Sequence, residues 1–172
     1  MKERQGIITM KGNPLTLVGN ELKVGEPAPD FDALDNDLSP VRLSSFRGKV
    51  LVISSVPSLD TPVCDQETKR FDEEAGNLGS ADVQILTISM DLPFAQKRWH
   101  VATGVDQVIT LSDHRDAAFG KAYGVLIKEL RLLARAVFVV DREGIIRHIQ
   151  LVKEVTEEPD YNQALDALKG LL

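Results

Sequence analysis

From residue 49 onward, short apolar segments alternate with segments of helical character, and this alternation constrains the fold more than any other feature. The predicted strands are 50–53, 82–89 and 108–111, and the predicted helices begin near Thr61, run from 93 to about 101, and run from 116 to 123. Strands that alternate with helices in this way are typical of α/β domains with parallel strands.

Antiparallel strands are predicted at both ends of this alternating region. The hairpins are 6–10 with 15–18, across a turn at 11–14, and 134–140 with 145–151, across a turn at 141–144. A last helix is predicted after Pro159, with Leu165, Leu168 and Leu172 at helical spacing. We therefore expect a three-layer α/β fold with a mixed central sheet, formed as one domain by residues 1–172.

Composition excludes several classes of function. The chain has 172 residues and a formal net charge of −6, and it lacks a basic run, so neither nucleic acid nor an anionic membrane surface is an expected partner. Its apolar runs are too short to span a bilayer, and no targeting segment is visible, which predicts a cytoplasmic protein. A single cysteine excludes an intrachain disulfide and a Cys-x-x-Cys centre.

That cysteine, Cys64, falls in the first turn of the predicted helix that follows strand 50–53. The N-terminus of a helix carries partial positive charge and free N–H groups, which favour a thiolate. An inert interpretation remains open, because Cys64, Thr68, Phe71, Ala75 and Leu78 follow the three-four spacing of a packed helix face. Position alone therefore leaves Cys64 as either a nucleophile or a small core residue.

The charges near Cys64 oppose ionisation of its thiol. Asp60, Asp65 and Glu67 are close in sequence, so a thiolate needs a cation from elsewhere in the fold. Arg135 is the candidate, because it stands in a segment, 132–139, that is otherwise apolar and β-forming. Two other interpretations stay open: an edge position with the guanidinium in water, or a structural pair with a carboxylate.

Thr61 and Pro57 precede Cys64 at fixed spacing, as Pro-x-x-x-Thr-x-x-Cys. The Thr61 hydroxyl is suited to capping the helix or to donating to an oxygen bound beside the sulfur. Pro57 stiffens the approach loop and helps to keep solvent out.

With this pattern and two further segments, 91–96 and 134–137, the chain resembles the thiol peroxidase branch of the peroxiredoxins; the resemblance extends from residue 11 to residue 161. The resemblance implies a thioredoxin-like fold with an added N-terminal hairpin. It also implies reduction of hydrogen peroxide and alkyl hydroperoxides without a metal or an organic cofactor, by a homodimer. It assigns Cys64 as the peroxidatic cysteine, with Thr61, Pro57 and Arg135 as the other active-site residues.

One position departs from that family. Many thiol peroxidases carry a second, resolving cysteine shortly after the Phe-Ala-Gln segment, and His100 stands at the matching position here. An imidazole forms no disulfide, so a sulfenic acid on Cys64 would need an external thiol such as thioredoxin, glutaredoxin or glutathione. His100 is interpreted as a base or, more simply, as a surface substitution.

Three other functions are compatible with parts of this sequence. A cysteine hydrolase would need one of His100, His114 and His148 beside Cys64, and none of them carries a recognisable local signature. A non-catalytic binding or holdase module would keep the fold and have an ordinary thiol. A thioredoxin-type disulfide reductase is disfavoured because Thr61 replaces the first sulfur of a Cys-x-x-Cys loop.

Overall fold

The structure is a computed structural model that describes residues 1–78 and 82–172. The strands are β1 (Glu3–Met10), β2 (Asn13–Val18), β3 (Asp32–Leu34), β4 (Pro40–Arg42), β5 (Val50–Ser55), β6 (Val83–Ser89), β7 (Val108–Ser112), β8 (Leu126–Ile127), β9 (Leu132–Leu133), β10 (Ala136–Val140) and β11 (Ile146–Leu151). The helices are α1 (Pro62–Leu78), α2 (Pro93–Thr103), α3 (Ala118–Ala122) and α4 (Tyr161–Lys169), and a 3₁₀ turn spans Leu43–Phe46.

The described strands form two sheets. The central sheet has the order β11-β10-β5-β6-β7-β3-β4, in which β5, β6 and β7 are parallel and the other pairings are antiparallel. The second sheet, β1-β2-β8-β9, is antiparallel and contains the N-terminal hairpin. The mixed character of the central sheet is therefore confirmed.

Side-chain alternation along the central strands divides the core into two layers. On β5, Leu51 and Ile53 pack on the side of α3 and the second sheet, whereas Val50 and Val52 pack on the side of α1 and α4. Because both faces of β5 are covered, all of its residues are buried, and its first four residues, 50–53, form a continuous apolar run in the sequence. The predicted three-layer α/β architecture is confirmed.

Several sequence predictions are corrected at the level of single elements. The last helix ends at Lys169, so Leu172 lies beyond it and is half exposed rather than packed at helical spacing. Strand β10 begins at Ala136, which places Arg135 in the link after β9 and not within a strand. The proposed packing of the Leu78 side chain lies outside the described part of the chain.

The parallel strands determine where the loops of interest meet. The loop after β5 leads to Cys64, and the loop after β6 contains Asp91, so both loops lie at the carboxyl edge of neighbouring strands. Within the described ranges, no helix combines the length and the apolar character that crossing a membrane requires.

Candidate active site

The loop between β5 and α1 leaves the sheet at its buried centre. Val56 donates its backbone N–H to the carbonyl oxygen of Ile88 at 3.0 Å, which extends the pairing of β5 with β6 by one residue. Pro57 follows and is buried. Proline has no N–H to leave unpaired at such a position. The loop is therefore anchored to the sheet immediately before it turns toward α1.

Cys64 is the third residue of α1, as the sequence predicted for the first helical turn. Its side chain has an exposed fraction of 0% and packs against Val56, Leu59 and Trp99. Pro62 begins the helix, where its missing N–H is not required. In this conformation the thiol is thus enclosed by apolar groups at the N-terminal end of a helix.

The hydroxyl of Thr61 forms a hydrogen bond within the loop that precedes α1. The hydroxyl donates to the carbonyl oxygen of Ser58 at 2.9 Å, and the carbonyl oxygen of Thr61 accepts the backbone N–H of Asp65. Because the hydroxyl proton is already used, the predicted donation to an oxygen beside the sulfur is wrong for this conformation, and the remaining capacity of the Thr61 oxygen is to accept a hydrogen bond. Thr61 lies on the rim of the helix start and is half-buried, as its spacing from Cys64 predicted.

Arg135 meets a carboxylate, not water. Its exposed fraction is 2%, its Nε and Nη2 donate to the carbonyl oxygen of Val155 at 3.2 and 3.0 Å, and its Nη1 lies 3.8 Å from Oε1 of Glu67. Of the interpretations left open, the edge position with a solvated guanidinium is wrong, and the pair with a carboxylate describes this conformation. Among the described residues, no hydrogen bond joins Arg135 to Cys64.

Glu67 is the partner that sequence reasoning missed, because it was treated only as an unfavourable charge. It lies one turn after Cys64 on α1 and is fully buried, and its Oε2 accepts the hydroxyl of Ser54 at 3.0 Å. Its spacing from Cys64 and Phe71 on the buried face was the signal that could have identified it. Burial raises the pKa of Glu67 to about 8, although Arg135 and Ser54 act in the opposite direction.

The raised pKa of Glu67 reduces the negative charge near the Cys64 thiol. Near pH 7 Glu67 is predominantly protonated and adds little negative charge. Asp65 is paired with Lys69 at 2.8 Å and accepts the indole N–H of Trp99 at 2.8 Å, while Asp60 is exposed to solvent. The three acidic residues near Cys64 therefore oppose ionisation of the thiol less than the sequence alone suggested.

Three buried polar atoms of this region have no hydrogen-bond partner among the described residues: Nη1 of Arg135, Oε1 of Glu67 and the hydroxyl oxygen of Tyr161 on α4. Burial, together with the charge of Glu67, raises the pKa of the Tyr161 hydroxyl. We call Ser54, Glu67, Arg135 and Tyr161 the buried polar cluster. Within this cluster, Nη1 of Arg135 is available to donate a hydrogen bond to a further acceptor.

The residues of α2 cover the other side of Cys64. Trp99 contacts the cluster around the thiol and hydrogen-bonds Asp65. His100, at the position of the resolving cysteine, is half-buried, and its Nδ1 lies 2.7 Å from the carbonyl oxygen of Val105. Its described hydrogen bond is therefore to the loop that follows its own helix rather than to Cys64.

A second residue without a predicted role is Asp91. Sequence reasoning used the segment 91–96 only as a marker of resemblance. The Asp91 carboxylate accepts the hydroxyl of Ser58 at 2.7 Å and the backbone N–H of Leu59 at 2.8 Å. It thus connects the loop after β6 to the loop that leads to Cys64.

Comparison with known proteins identifies the family to which the chain belongs. The redoxin family model matches residues 23–165. The chain is 58% identical to a thiol peroxidase of Halalkalibacterium halodurans and 56% identical to one of Bacillus subtilis, each over 96% of this chain and 98% of the relative.

A solved structure of similar shape is a peroxiredoxin-like protein from Aquifex aeolicus, with a TM-score of 0.90, 45% identity and coverage of 98% of this chain and 99% of that one. A thiol peroxidase from Chromobacterium violaceum has a TM-score of 0.83 at 20% identity, covers 95% of each chain, and supports the fold alone. These likenesses agree with the predicted thioredoxin-like fold. The chain therefore belongs to the redoxin family, in the thiol peroxidase branch of the peroxiredoxins.

Proposed function

We propose that this thiol-dependent peroxidase reduces hydrogen peroxide and alkyl hydroperoxides through a sulfenic acid on Cys64, which an external thiol then resolves. The observation that carries the proposal is the position of Cys64 in the first turn of α1, behind Pro57 and Thr61, in a chain more than half identical to thiol peroxidases. Membership of the family supports the reaction class, and the local geometry supports the choice of residues.

The oxidation step is a displacement at a peroxide oxygen. The Cys64 thiolate attacks one oxygen of ROOH, the O–O bond breaks, and the S–O bond of the sulfenic acid forms. The electron pair of the broken bond leaves on the second oxygen as RO⁻, which takes up a proton to give ROH. Sulfur is oxidised by two electrons and the peroxide is reduced by two.

Arg135 and Thr61 would act on the two oxygens during this step. Nη1 of Arg135 has no hydrogen-bond partner among the described residues and can donate to an oxygen that gains charge. The Thr61 oxygen, which donates its proton to Ser58, is suited to accept the O–H of the incoming hydroperoxide. Pro57 excludes water from the base of the loop. A largely protonated Glu67 leaves the positive charge of Arg135 available.

Access to the thiol requires a local movement. Because the exposed fraction of Cys64 is 0%, both peroxide and thiol must enter through a displacement of the first turn of α1 or of the side chains over it. A hydroperoxide needs a small opening, whereas an external thiol needs a larger one.

The resolution step uses a thiol from outside the chain. The sequence has one cysteine, and His100 stands where a resolving cysteine is expected. An external thiol R′SH attacks the sulfenic sulfur, a mixed disulfide forms, and water leaves. A second thiol then releases Cys64 and forms R′SSR′. Thioredoxin, glutaredoxin and glutathione are the reductants that we propose to test.

The remaining parts of the proposal concern assembly and location. We propose that residues 1–172 act as one domain in a cytoplasmic homodimer, as the family resemblance implies. The exposed apolar side chains of Leu92 and Phe94 at the start of α2 are a surface that a second copy would cover. Light scattering on the purified protein measures the mass, and a monomer at micromolar concentration would contradict this part.

Steady-state peroxide reduction with a panel of thiol donors tests the proposed function. We expect turnover with at least one donor, and loss of turnover by at least about 10³-fold in Cys64→Ser, because the nucleophile is removed. His114→Gln is the control and should retain activity. A wild-type protein that shows no turnover with any donor would favour the non-catalytic binding module, and ester or peptide hydrolysis that depends on Cys64 would favour the hydrolase.

A further inference from the structure

Asp91 ties the loop in front of Cys64 to the neighbouring strand. Its Oδ1 accepts the hydroxyl of Ser58 at 2.7 Å, and its Oδ2 accepts both the backbone N–H of Leu59 and the hydroxyl of Ser89, each at 2.8 Å. Ser58 in turn accepts the backbone N–H of Asp60 at 3.1 Å. One carboxylate therefore determines the path of three consecutive residues before Thr61.

The ordinary structural role for an acidic residue at this position would be to cap the helix that follows it. The residue before α2 is Leu92, and no side chain caps that helix start. Both Asp91 oxygens are directed to Ser58, Leu59 and Ser89 instead. The carboxylate thus contributes to the arrangement of the Cys64 loop rather than to the start of its own helix.

Leu59 connects this arrangement to the thiol. Its backbone N–H is held by Asp91, and its side chain, 3% exposed, packs on Cys64 together with Val56 and Trp99. A hydrogen bond from a neutral donor to a carboxylate is stronger than one between neutral groups. Displacing the Leu59 side chain from the sulfur by moving the loop therefore requires loss of a charge-assisted hydrogen bond.

We propose that Asp91 is a positioning residue that determines which reactants reach Cys64. By holding Ser58 and Leu59, it keeps the reduced thiol closed to bulky reactants while small ones enter through limited side-chain movement. The inference rests on the proposed function, because it assigns Asp91 a part in selecting the reactants of the peroxidatic cysteine.

The test compares two thiol reagents of different size on Asp91→Asn. Asparagine has nearly the same shape, but its NH₂ group would face an N–H or O–H donor and its charge is lost. We measure the rate constant of Cys64 with bulky dithiobis(nitrobenzoic acid) and with small methyl methanethiosulfonate. The expected result is a rise of about tenfold in the ratio of the bulky to the small rate constant, corresponding to the loss of one charge-assisted hydrogen bond.

The control is Asp37→Asn, because the exposed Asp37 carboxylate also contacts α2, through Lys97 at 3.2 Å. A merely structural role for Asp91 would lower overall stability and raise both rate constants by the same factor. A ratio that rises threefold or more over wild type supports the proposal, and a smaller rise overturns it. If Asp91→Asn does not fold, Ser58→Ala replaces it, and a ratio less than twofold above wild type overturns the proposal.

Peroxide turnover is measured on the same samples. It separates the two claims, because neither thiol reagent depends on peroxidase chemistry. A wild-type protein without peroxide turnover contradicts the proposed function, whereas an unchanged reagent ratio in an active protein contradicts the role of Asp91.

Discussion

On the buried face of α1, the first turn has apolar neighbours and the second turn has polar ones. Around Cys64 the neighbours are apolar, namely Val56, Leu59 and Trp99. One turn later, Glu67 lies in the buried polar cluster with Arg135. The Cys64 thiol therefore lies in an apolar environment, and Arg135, the cation proposed to act with it, lies in the adjacent polar environment on the same face of α1.

The difference between these two regions separates a thiol enclosed by apolar groups from the cation that we propose acts on its substrate. In the structure described here, the guanidinium is paired with Glu67 and the carbonyl oxygen of Val155, while its Nη1 has no hydrogen-bond partner among the described residues. Because burial favours the neutral form of Glu67, the positive charge of Arg135 is only partly offset near pH 7. Four substitutions test whether the two regions act together.

The largest effect is expected from Arg135→Lys. Lysine keeps a positive charge beside Glu67 but lacks the planar group that contacts Val155 and offers a further donor. We expect the second-order rate constant with hydrogen peroxide to fall about 10²-fold, the effect of removing one donor to a developing charge. Rapid mixing measures the rate, and exposed Arg98→Lys on α2 is the control. An unchanged rate would separate the buried polar cluster from the reaction of Cys64.

Glu67→Gln is expected to change the pH dependence of stability. The pKa of Glu67 is raised to about 8, so the folded protein keeps this proton while the unfolded chain loses it above the ordinary glutamate pKa of 4.5. The unfolded state then binds fewer protons, and stability falls as the pH rises through this window. Between pH ~5.5 and ~7 wild type should lose about 2 kcal/mol through this group, and Glu67→Gln should not.

Urea unfolding at the two pH values measures this difference. Glu73→Gln is the control, because Glu73 is on the same helix and exposed. If Glu67→Gln and wild type lose the same free energy of unfolding, the carboxyl group of Glu67 is ionised in the folded protein.

Thr61→Val should reduce the rate with hydrogen peroxide about tenfold, the value of one hydrogen bond. The variant loses the donor to the carbonyl oxygen of Ser58 and the proposed acceptor for the hydroperoxide. Thr61→Ser keeps the hydroxyl and should stay within about threefold of wild type. A loss in Thr61→Ser without a loss in Thr61→Val would mean that the reaction needs the methyl group and not the hydroxyl.

The smallest effect is expected from Trp99→Phe, which keeps an aromatic ring over Cys64 but removes the indole N–H that donates to Asp65. We expect a loss of about 1 kcal/mol in the free energy of unfolding. Lys69→Met removes the other described partner of Asp65, an exposed ion pair, and should cost less than about 0.5 kcal/mol. If the two variants lose equal stability, the hydrogen bond from Trp99 adds nothing beyond a surface contact.

The parts of the fold with strong local signals were predictable from the sequence. Strands β5 and β10 are covered on both faces, so residues 50–53 of β5 and the whole of β10 form unbroken apolar runs, and both strands were predicted. Strands β8 and β9 have two residues each and were missed, because they depend on pairing with β2 and with each other. Such short strands carry no periodicity of their own.

In the candidate site too, features set by nearby residues were predictable, and contacts between distant segments were not. The spacing of Pro57, Thr61 and Cys64 is local, and it correctly placed Cys64 in the first turn of α1 with the other two residues in the loop before it. That Arg135 needs an anion was also predictable, but Glu67 as its partner depends on β10 lying beside β5, where Ala136 pairs with Ser55. The role of Asp91 was missed because its contacts join two loops 32 residues apart in sequence.

A single-turnover experiment tests the central claim, that Cys64 begins the peroxidase reaction and needs an external thiol to complete it. The reduced protein is mixed with a small excess of hydrogen peroxide, first without and then with the best thiol donor. We predict a rapid phase that consumes one equivalent of peroxide per chain without thiol, continuous turnover with thiol, and neither in Cys64→Ser. Continuous turnover without any thiol, or a rapid phase that survives in Cys64→Ser, would contradict the account.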